Sequence, residues 1–395
     1  MSIAKRVATD FLRNYPADKT ITVIFTTRST RKSTDTLQQL LSHLERQQQQ
    51  QQQQYGKAMG EAKGNEHRHG GGQPAAPRVH FFAAQVDLTD LRSVAALARL
   101  LKHSFPKIDA AIFNAGMGAF LGIDWLACFV ALARDWIGAV THPEFKLQEL
   151  GRTCSSGGFT VGEVFCANVF GHYFLAHELM GLLRRGRGRI VWVSSLEAYS
   201  WTLDIANDID GVRATHSYES SKRLTDVLAL TSGIAATKPW TRAFFRDDDL
   251  RKEDSDRGRE EQEQEQEQEE CGNVKAYVCH PGVCATAMIA IHPILFYCMM
   301  LSFYIARWAG SPWHTVSTHT AANAPVHLAL ASEEELVQSK ADRVKLGSGT
   351  DRSGSEVLRA TPVDDDGTVE FQELGRGAWK RLEELRVACK TRLES

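Results

Sequence analysis

The strongest constraint on what this chain can fold into is an alternation that runs along most of its length. Short β-branched or apolar runs are separated by stretches whose apolar residues recur every three or four positions. The runs Thr20 to Thr27, Arg78 to Val86, Ile108 to Phe113, Arg189 to Val193 and Val274 to His280 read as strands. The stretches near Asp35 to Arg46, Leu91 to His103, Glu163 to Arg184 and Tyr218 to beyond Leu230 read as helices. The strand runs are apolar almost throughout, as strands covered on both faces are. This pattern predicts an α/β fold with a doubly wound parallel sheet between layers of helices. A helix precedes the first strand, because Ile3, Val7 and Phe11 repeat every four residues with Ala4, Ala8, Leu12 and Tyr15 on the same side.

Two segments interrupt the alternation. An unbroken glutamine tract from Gln47 to Gln54 continues into a Gly-, His- and Pro-rich stretch, so 47–77 is expected to be a disordered insertion. Arg246 to Glu270 holds 13 acids against 5 bases, and 246–272 reads as a second, solvated insertion. The rest of the chain keeps 41 Lys+Arg against 35 Asp+Glu. That mild positive balance suits an anionic cofactor or an anionic lipid surface and is too weak for nucleic acid. Apolar residues make up 43% of the 395, enough for a large core, which excludes global disorder. Eight cysteines are scattered without a CxxC pair, and the N-terminus lacks the roughly 7–15-residue apolar stretch of a secretory signal. They read as thiols in a reducing compartment. His67 and His69 fall in the first insertion and the other histidines show no ligand spacing, so no metal site is expected.

Doubly wound sheets bind ligands beyond the C-terminal ends of their strands. The polar residues there are Arg28, Asp87, Asn114-Ala115-Gly116 and Ser194-Ser195, with Tyr218 and Lys222 on the helix that follows. Residues four apart share a helix face, where a lysine ammonium favours a phenolate. A phenol, ordinarily of pKa ~10, then exchanges its proton closer to neutrality. Each residue also has a plainer reading. Ser195 suits a turn or a helix cap, Arg28 a solvated turn, Asn168 a helix-interior hydrogen bond, and Asp87 the cap of the helix near Leu91. Their joint order decides between the two.

Asn114-Ala115-Gly116, Asn168, Ser195, Tyr218-Glu-Ser-Ser-Lys222 and Pro281-Gly282 stand in the order and strand context of the short-chain dehydrogenase/reductase family, which the chain resembles. Phe25 to Lys32, Glu163 to His172, Val193 to Ala198 and Tyr218 to Asp226 are similar to the branch that reduces 3-keto-sterols in fungal ergosterol synthesis. The resemblance spans most of 1–360. It implies a Rossmann-like reductase domain over 1–330, with 331–395 as a C-terminal extension. It also implies that Tyr218 donates a proton to a ketone oxygen while NADPH delivers hydride. Lys222 would lower the tyrosine pKa and bind the nicotinamide ribose. Ser195 would hydrogen-bond the substrate oxygen, and Asn168 would hold a water between Lys222 and solvent. Arg28 stands where an acid would meet an NAD ribose, which implies the 2′-phosphate of NADP, with Arg31 and Lys32 as secondary charges. Asp87 would contact adenine and Thr286 the nicotinamide carboxamide, while Asn114, Ala115, Gly116, Pro281 and Gly282 would line the cofactor. The long interval from Ser195 to Tyr218 would put 198–217 over the substrate mouth.

The implied reaction reduces a 3-keto-sterol to the 3β-alcohol during C4 demethylation. The alternatives are a general carbonyl or retinoid reductase and a non-catalytic scaffold for other sterol demethylation enzymes. Ala287 to Ala306 approaches the ~20 residues of a membrane span, but His292-Pro293 divides it and leaves 13 uncharged residues from Ile294 to Ala306. With Arg307-Trp308 behind it, 287–309 is expected to be a lid that lies in a membrane surface, at the endoplasmic reticulum or lipid droplets on the cytoplasmic face. The family's opening strand and Thr-Gly-x-x-x-Gly-x-Gly turn have no counterpart ahead of the first helix; Gly116-x-Gly118 and Gly186-x-Gly188 are turn glycines elsewhere. A truncated start is therefore expected, with a central strand missing from the sheet, unpaired strand edges and a weakened pyrophosphate site.

Overall fold

A computed structural model of the chain describes residues 1–61, 77–246, 274–285 and 292–394. They fall into two compact units, 1–86 and 87–395. The first contains helix α1 (Ser2–Asn14), strand β1 (Ile21–Thr27), helix α2 (Thr30–Glu61) and strand β2 (Val79–Gln85). The strands pair in parallel, Ile21 opposite Val79 through Thr27 opposite Gln85, as a βαβ crossover requires. The apolar stripe read from the sequence is what packs, since Ala8 and Phe11 of α1 meet Leu44 and Val79. The Arg78 guanidinium ties down the chain after α1, donating to the carbonyl oxygens of Tyr15 (2.8 Å) and Pro16 (2.6 Å). The glutamine tract corrects the reading of 47–77 as disordered from its start, because α2 carries through it to Glu61. Glutamine is a good helix former, and extending an existing helix costs far less than nucleating one. Residues 62–76 lie outside the described residues.

In the second unit, α3 (Leu91–Ser104) leads to β3 (Ala110–Phe113). A segment that periodicity leaves blank follows. In it β4 (Phe120–Ile123) pairs antiparallel with β5 (Lys146–Gln148) around helices α4 (Trp125–Arg134) and α5 (Trp136–Thr141), and β6 (Thr153–Ser156) forms a hairpin with β7 (Phe159–Gly162). Strands of three or four residues are too short to show a period of two. Next come α6 (Glu163–Phe165), a π-helical turn (Cys166–Phe170), α7 (Gly171–Glu178), α8 (Met180–Arg185), β8 (Arg189–Val193), α9 (Ser217–Leu230), α10 (Lys238–Phe245) and β9 (Lys275–His280). The chain closes with α11 (Pro293–Trp308), α12 (Thr318–Ala321), α13 (Asn323–Leu330), α14 (Glu333–Gln338), β10 (Lys345–Thr350), β11 (Glu356–Thr361) and α15 (Val369–Glu394).

The main sheet has the order β11-β10-β9-β8-β3, parallel except for β11. Val191 and Val193 of β8 pack with Ala324 and Leu328 of α13. Trp192, which alternation turns to the opposite face, lies with its ring tilted against Phe113 at 5.0 Å, and Phe113 in turn meets His172 of α7. Helices thus cover both faces, as the apolar strands require. The five long strand runs are all found, but they form two sheets rather than one. Residues 331–395, read from sequence as an extension, supply two strands of the main sheet and a helix over α9, where Trp379 Nε1 donates to Thr231 Oγ1 (3.2 Å). The acidic segment 247–273, which holds nearly all of the insertion expected at 246–272, and residues 286–291 at the start of the expected lid lie outside the described residues.

Candidate active site

Strand β8 ends at Val193, and the next two residues turn out of the sheet. The Ser194 N–H still continues the ladder to the Cys279 carbonyl (2.7 Å), and its hydroxyl donates to the Lys222 carbonyl (3.2 Å). Ser195 is freed from the ladder, and its Oγ accepts the Glu197 N–H (3.2 Å). Helix α9, buried along almost its whole length, brings Tyr218 and Lys222 to the same strand end. Lys222 Nζ donates to the Val193 carbonyl at 2.8 Å and lies 5.7 Å from the centre of the Tyr218 ring. Ser195 of the loop after β8 and the pair Tyr218 and Lys222 of α9 are thus brought together at one strand end.

The electrostatics differ from the expectation that Lys222 lowers the tyrosine pKa. Burial raises the Tyr218 pKa above its ordinary value and Glu197 raises it further, while a hydrogen bond with Ser195 pulls it down. Lys222 is itself lowered to about 8, by burial first, with Asp226 opposing and Lys345 reinforcing. Its ammonium is turned toward a main-chain oxygen rather than the phenol.

Asn168 sits inside the π-helical turn, a bulge often found at functional sites. Its side-chain oxygen accepts the Met117 N–H (2.7 Å), and its amide nitrogen donates to the Met117 carbonyl and to Ser221 Oγ, both at 2.9 Å. The side chain is thus spent on binding the loop after β3 to α9, rather than directed at Lys222. Gly116 permits this closeness, since a Cβ there would lie 2.8 Å from Asn168 Oδ1. His172 donates from Nε2 to the Ala115 carbonyl (2.8 Å); burial pushes its pKa down to about 4, so it is neutral. Asn114, Ala115 and Gly116 themselves are exposed at the end of β3.

Gly282, after Pro281, has φ +69°, and a Cβ there would lie 2.5 Å from the Trp313 carbonyl oxygen. Asp87 accepts from Thr89 N (3.0 Å) and Thr89 Oγ1 (2.7 Å), whereas the cap of α3 is Asp90, which accepts from Arg92 N. The plainer reading of Asp87 as the cap of this helix therefore does not hold; the cap lies three residues later. Thr286 lies outside the described residues. Arg28, Arg31 and Lys32 belong to the first unit and are exposed at or just before the N-terminal turn of α2, a position that favours anions. In the loop 198–217, Tyr199 stacks on Trp201 (5.9 Å) and Trp201 meets His216 edge-on (4.8 Å).

Sequence reasoning misses two groups of neighbours. One is Lys345 of β10, whose Nζ donates to the Ser195 carbonyl (2.5 Å) and to Asp226 Oδ2 (2.7 Å). Asp226 continues the four-residue spacing of Tyr218 and Lys222, a signal that was available; Lys345 carries none. The other is Lys146, Gln148, Glu197 and Glu219, gathered against Tyr218 by the β4–β5 pair.

No protein-family profile matches the chain. A 3-keto-steroid reductase of Aspergillus fumigatus is 38% identical over 98% of this chain and 90% of its own length. The corresponding proteins of Gibberella zeae and Eremothecium gossypii are 30% identical over 98% of this chain (90% of theirs) and 33% identical over 73% (72% of theirs). A metagenomic short-chain oxidoreductase solved with NADP is 14% identical over 84% of this chain and 85% of its own, with a TM-score of 0.39, too distant to add to what the strand order establishes.

Proposed function

Because the chain belongs to the 3-keto-steroid reductase family of oxidoreductases, we propose that it reduces a 3-keto-sterol to the 3β-alcohol during the C4 demethylation steps of ergosterol synthesis, with NADPH as the reductant. The observation that carries this reading is the convergence of Ser195, Tyr218 and Lys222 at the C-terminal end of β8. The exposed cations Arg28, Arg31 and Lys32 fit the extra phosphate of that cofactor in charge and in donor chemistry. When bound, the cofactor supplies hydride to the carbonyl carbon.

The chain's own residues handle the oxygen. As negative charge develops there, Tyr218 gives up its phenolic proton and Ser195 offers a hydroxyl donor. Both are held in place beforehand, Ser195 by the Glu197 N–H and Lys345, and Tyr218 by its main-chain N–H on Gln148 Oε1 (3.1 Å). Lys222, lowered to about 8, can lose and regain a proton close to neutral pH beside the phenolate that remains. Asn168 keeps the loop after β3 against α9; a water between Lys222 and solvent would fall to its main chain, because its side chain is engaged.

Association with a membrane surface, at the endoplasmic reticulum or lipid droplets and beside other sterol demethylation enzymes, belongs to the same reading. It is supported by α11, which exposes Ile294, Tyr297, Leu301 and Trp308 at helical spacing. Among the described residues no helix is long and apolar enough to cross a membrane.

Incubation of the full chain with NADPH and a 4-methyl-3-keto-sterol tests the reaction. The 3β-alcohol is the expected product, and Tyr218→Phe is expected to lower kcat by about 10²–10⁴-fold. No sterol turnover while simpler ketones react would overturn the substrate assignment. Full complementation of a reductase-deficient cell by Tyr218→Phe would favour a scaffold instead.

A further inference from the structure

Tyr218 has a charged neighbourhood that Ser195 and Lys222 do not account for. Lys146 of β5 is 6% exposed and places Nζ 2.6 and 2.7 Å from the two carboxylate oxygens of Glu197 and 3.4 Å from Oε1 of Glu219. The same ammonium lies 5.5 Å from the centre of the Tyr218 ring. Gln148 donates to Glu219 Oε2 and accepts the main-chain N–H of Tyr218, while the N–H of Glu197 donates to Ser195 Oγ. Glu197 and Glu219 share the Lys146 ammonium, and Lys222 is a second ammonium beside the ring, so two carboxylates balance two cations around Tyr218 and loss of the Glu197 charge would leave the surroundings of the phenol positive.

The groups that face Tyr218 are Glu219 and Lys222 from its own helix, Lys146 from β5, Ser195 and Glu197 from the loop after β8, and Cys284 after β9. Glu197 in turn faces Lys146, Glu219, Tyr199 and Tyr218. A fixed negative charge near a buried phenol opposes its ionisation.

We propose that Glu197 is a positioning residue that holds Tyr218 in its proton-bearing form, and so favours giving a proton to a ketone over taking one from an alcohol. The overall equilibrium, set by substrate and cofactor, is unchanged; what moves is the pH at which each direction runs. Burial, opposed by Lys146, pushes Glu197 itself up to about 7. Its charge therefore develops as pH rises through neutrality, before the phenol begins to ionise. The turnover arm of the test rests on the reductase reading.

Glu197→Gln keeps the shape of the site and leaves Lys146 paired with Glu219; Glu197→Asp keeps the charge. In Glu197→Gln, the alkaline fall of ketone reduction and the alkaline rise of alcohol oxidation should both move down by about one pH unit, while Glu197→Asp stays with the parent. Superimposable pH profiles for the parent and Glu197→Gln overturn the proposal. A second readout needs no turnover: the near-ultraviolet phenolate absorbance due to Tyr218, obtained by subtracting Tyr218→Phe in each background, should appear at lower pH in Glu197→Gln. Equal absorbance at every pH at which both proteins stay folded overturns it. If the parent fails to reduce a 3-keto-sterol, the substrate reading falls and the phenolate titration alone decides the role of Glu197.

Discussion

Lys345 Nζ lies 2.7 Å from Asp226 Oδ2, an ion pair whose side chains are 3% and 1% exposed. The ammonium also holds the Ser195 carbonyl, so one buried contact joins β10, α9 and the turn that carries Ser195.

Removing one partner strands the other charge where water cannot reach it. Lys345→Met alone or Asp226→Leu alone is expected to cost about 3–5 kcal/mol, and the double variant to recover most of that, because two apolar side chains tolerate the site. Denaturant unfolding of the four proteins checks this; equal losses in the single and double variants would contradict it.

His172 predicts acid sensitivity. Its pKa is about 4 in the fold against an ordinary 6.5, so below pH 6.5 the unfolded chain binds a proton that the folded chain refuses. Stability therefore falls as pH drops from 6.5 and levels off below 4, by about 3 kcal/mol for this residue. Buried His280 and His314 act in the same direction. The check is the difference in unfolding free energy between the parent and His172→Gln across that window, which should shrink as pH falls.

Gly116→Ala would push a methyl group into Asn168 Oδ1. Overpacking of this kind costs about 1–3 kcal/mol. Here the displaced side chain also releases both Met117 contacts and Ser221. A larger fractional loss in kcat/KM than in thermal stability is expected, because the released loop is the one after β3 at the site. Parallel thermal melts and steady-state kinetics separate the two.

For α11, replacing Ile294, Tyr297 and Leu301 by serine removes three side chains that are more than half exposed. At about 1.5–3 kcal/mol per large apolar side chain buried, vesicle binding measured by flotation should fall by at least 100-fold, with the melting temperature nearly unchanged. Undiminished flotation would remove the membrane role of this helix.

Local pattern determined the long elements. A strand such as Arg189 to Val193 or Val274 to His280 is legible because its apolar run records burial on two faces, and α1 and α3 because their apolar residues recur with the helical turn. The order of Asn168, Ser195, Tyr218 and Lys222 along the chain likewise singled out a candidate site, since sheets of this kind bind ligands at their strand ends. What the sequence could not give was the company these residues keep. The pairs β4–β5 and β6–β7 are too short for periodicity, and the strands of 331–395, with their glycines and charges, do not look apolar. Lys146 and Lys345 are ordinary surface residues by composition; they become buried partners of Glu197 and Asp226 only when strands distant in sequence close around α9. Tertiary structure alone decided the charge around Tyr218, because desolvation and electrostatic neighbours depend on distances through space that no local pattern encodes.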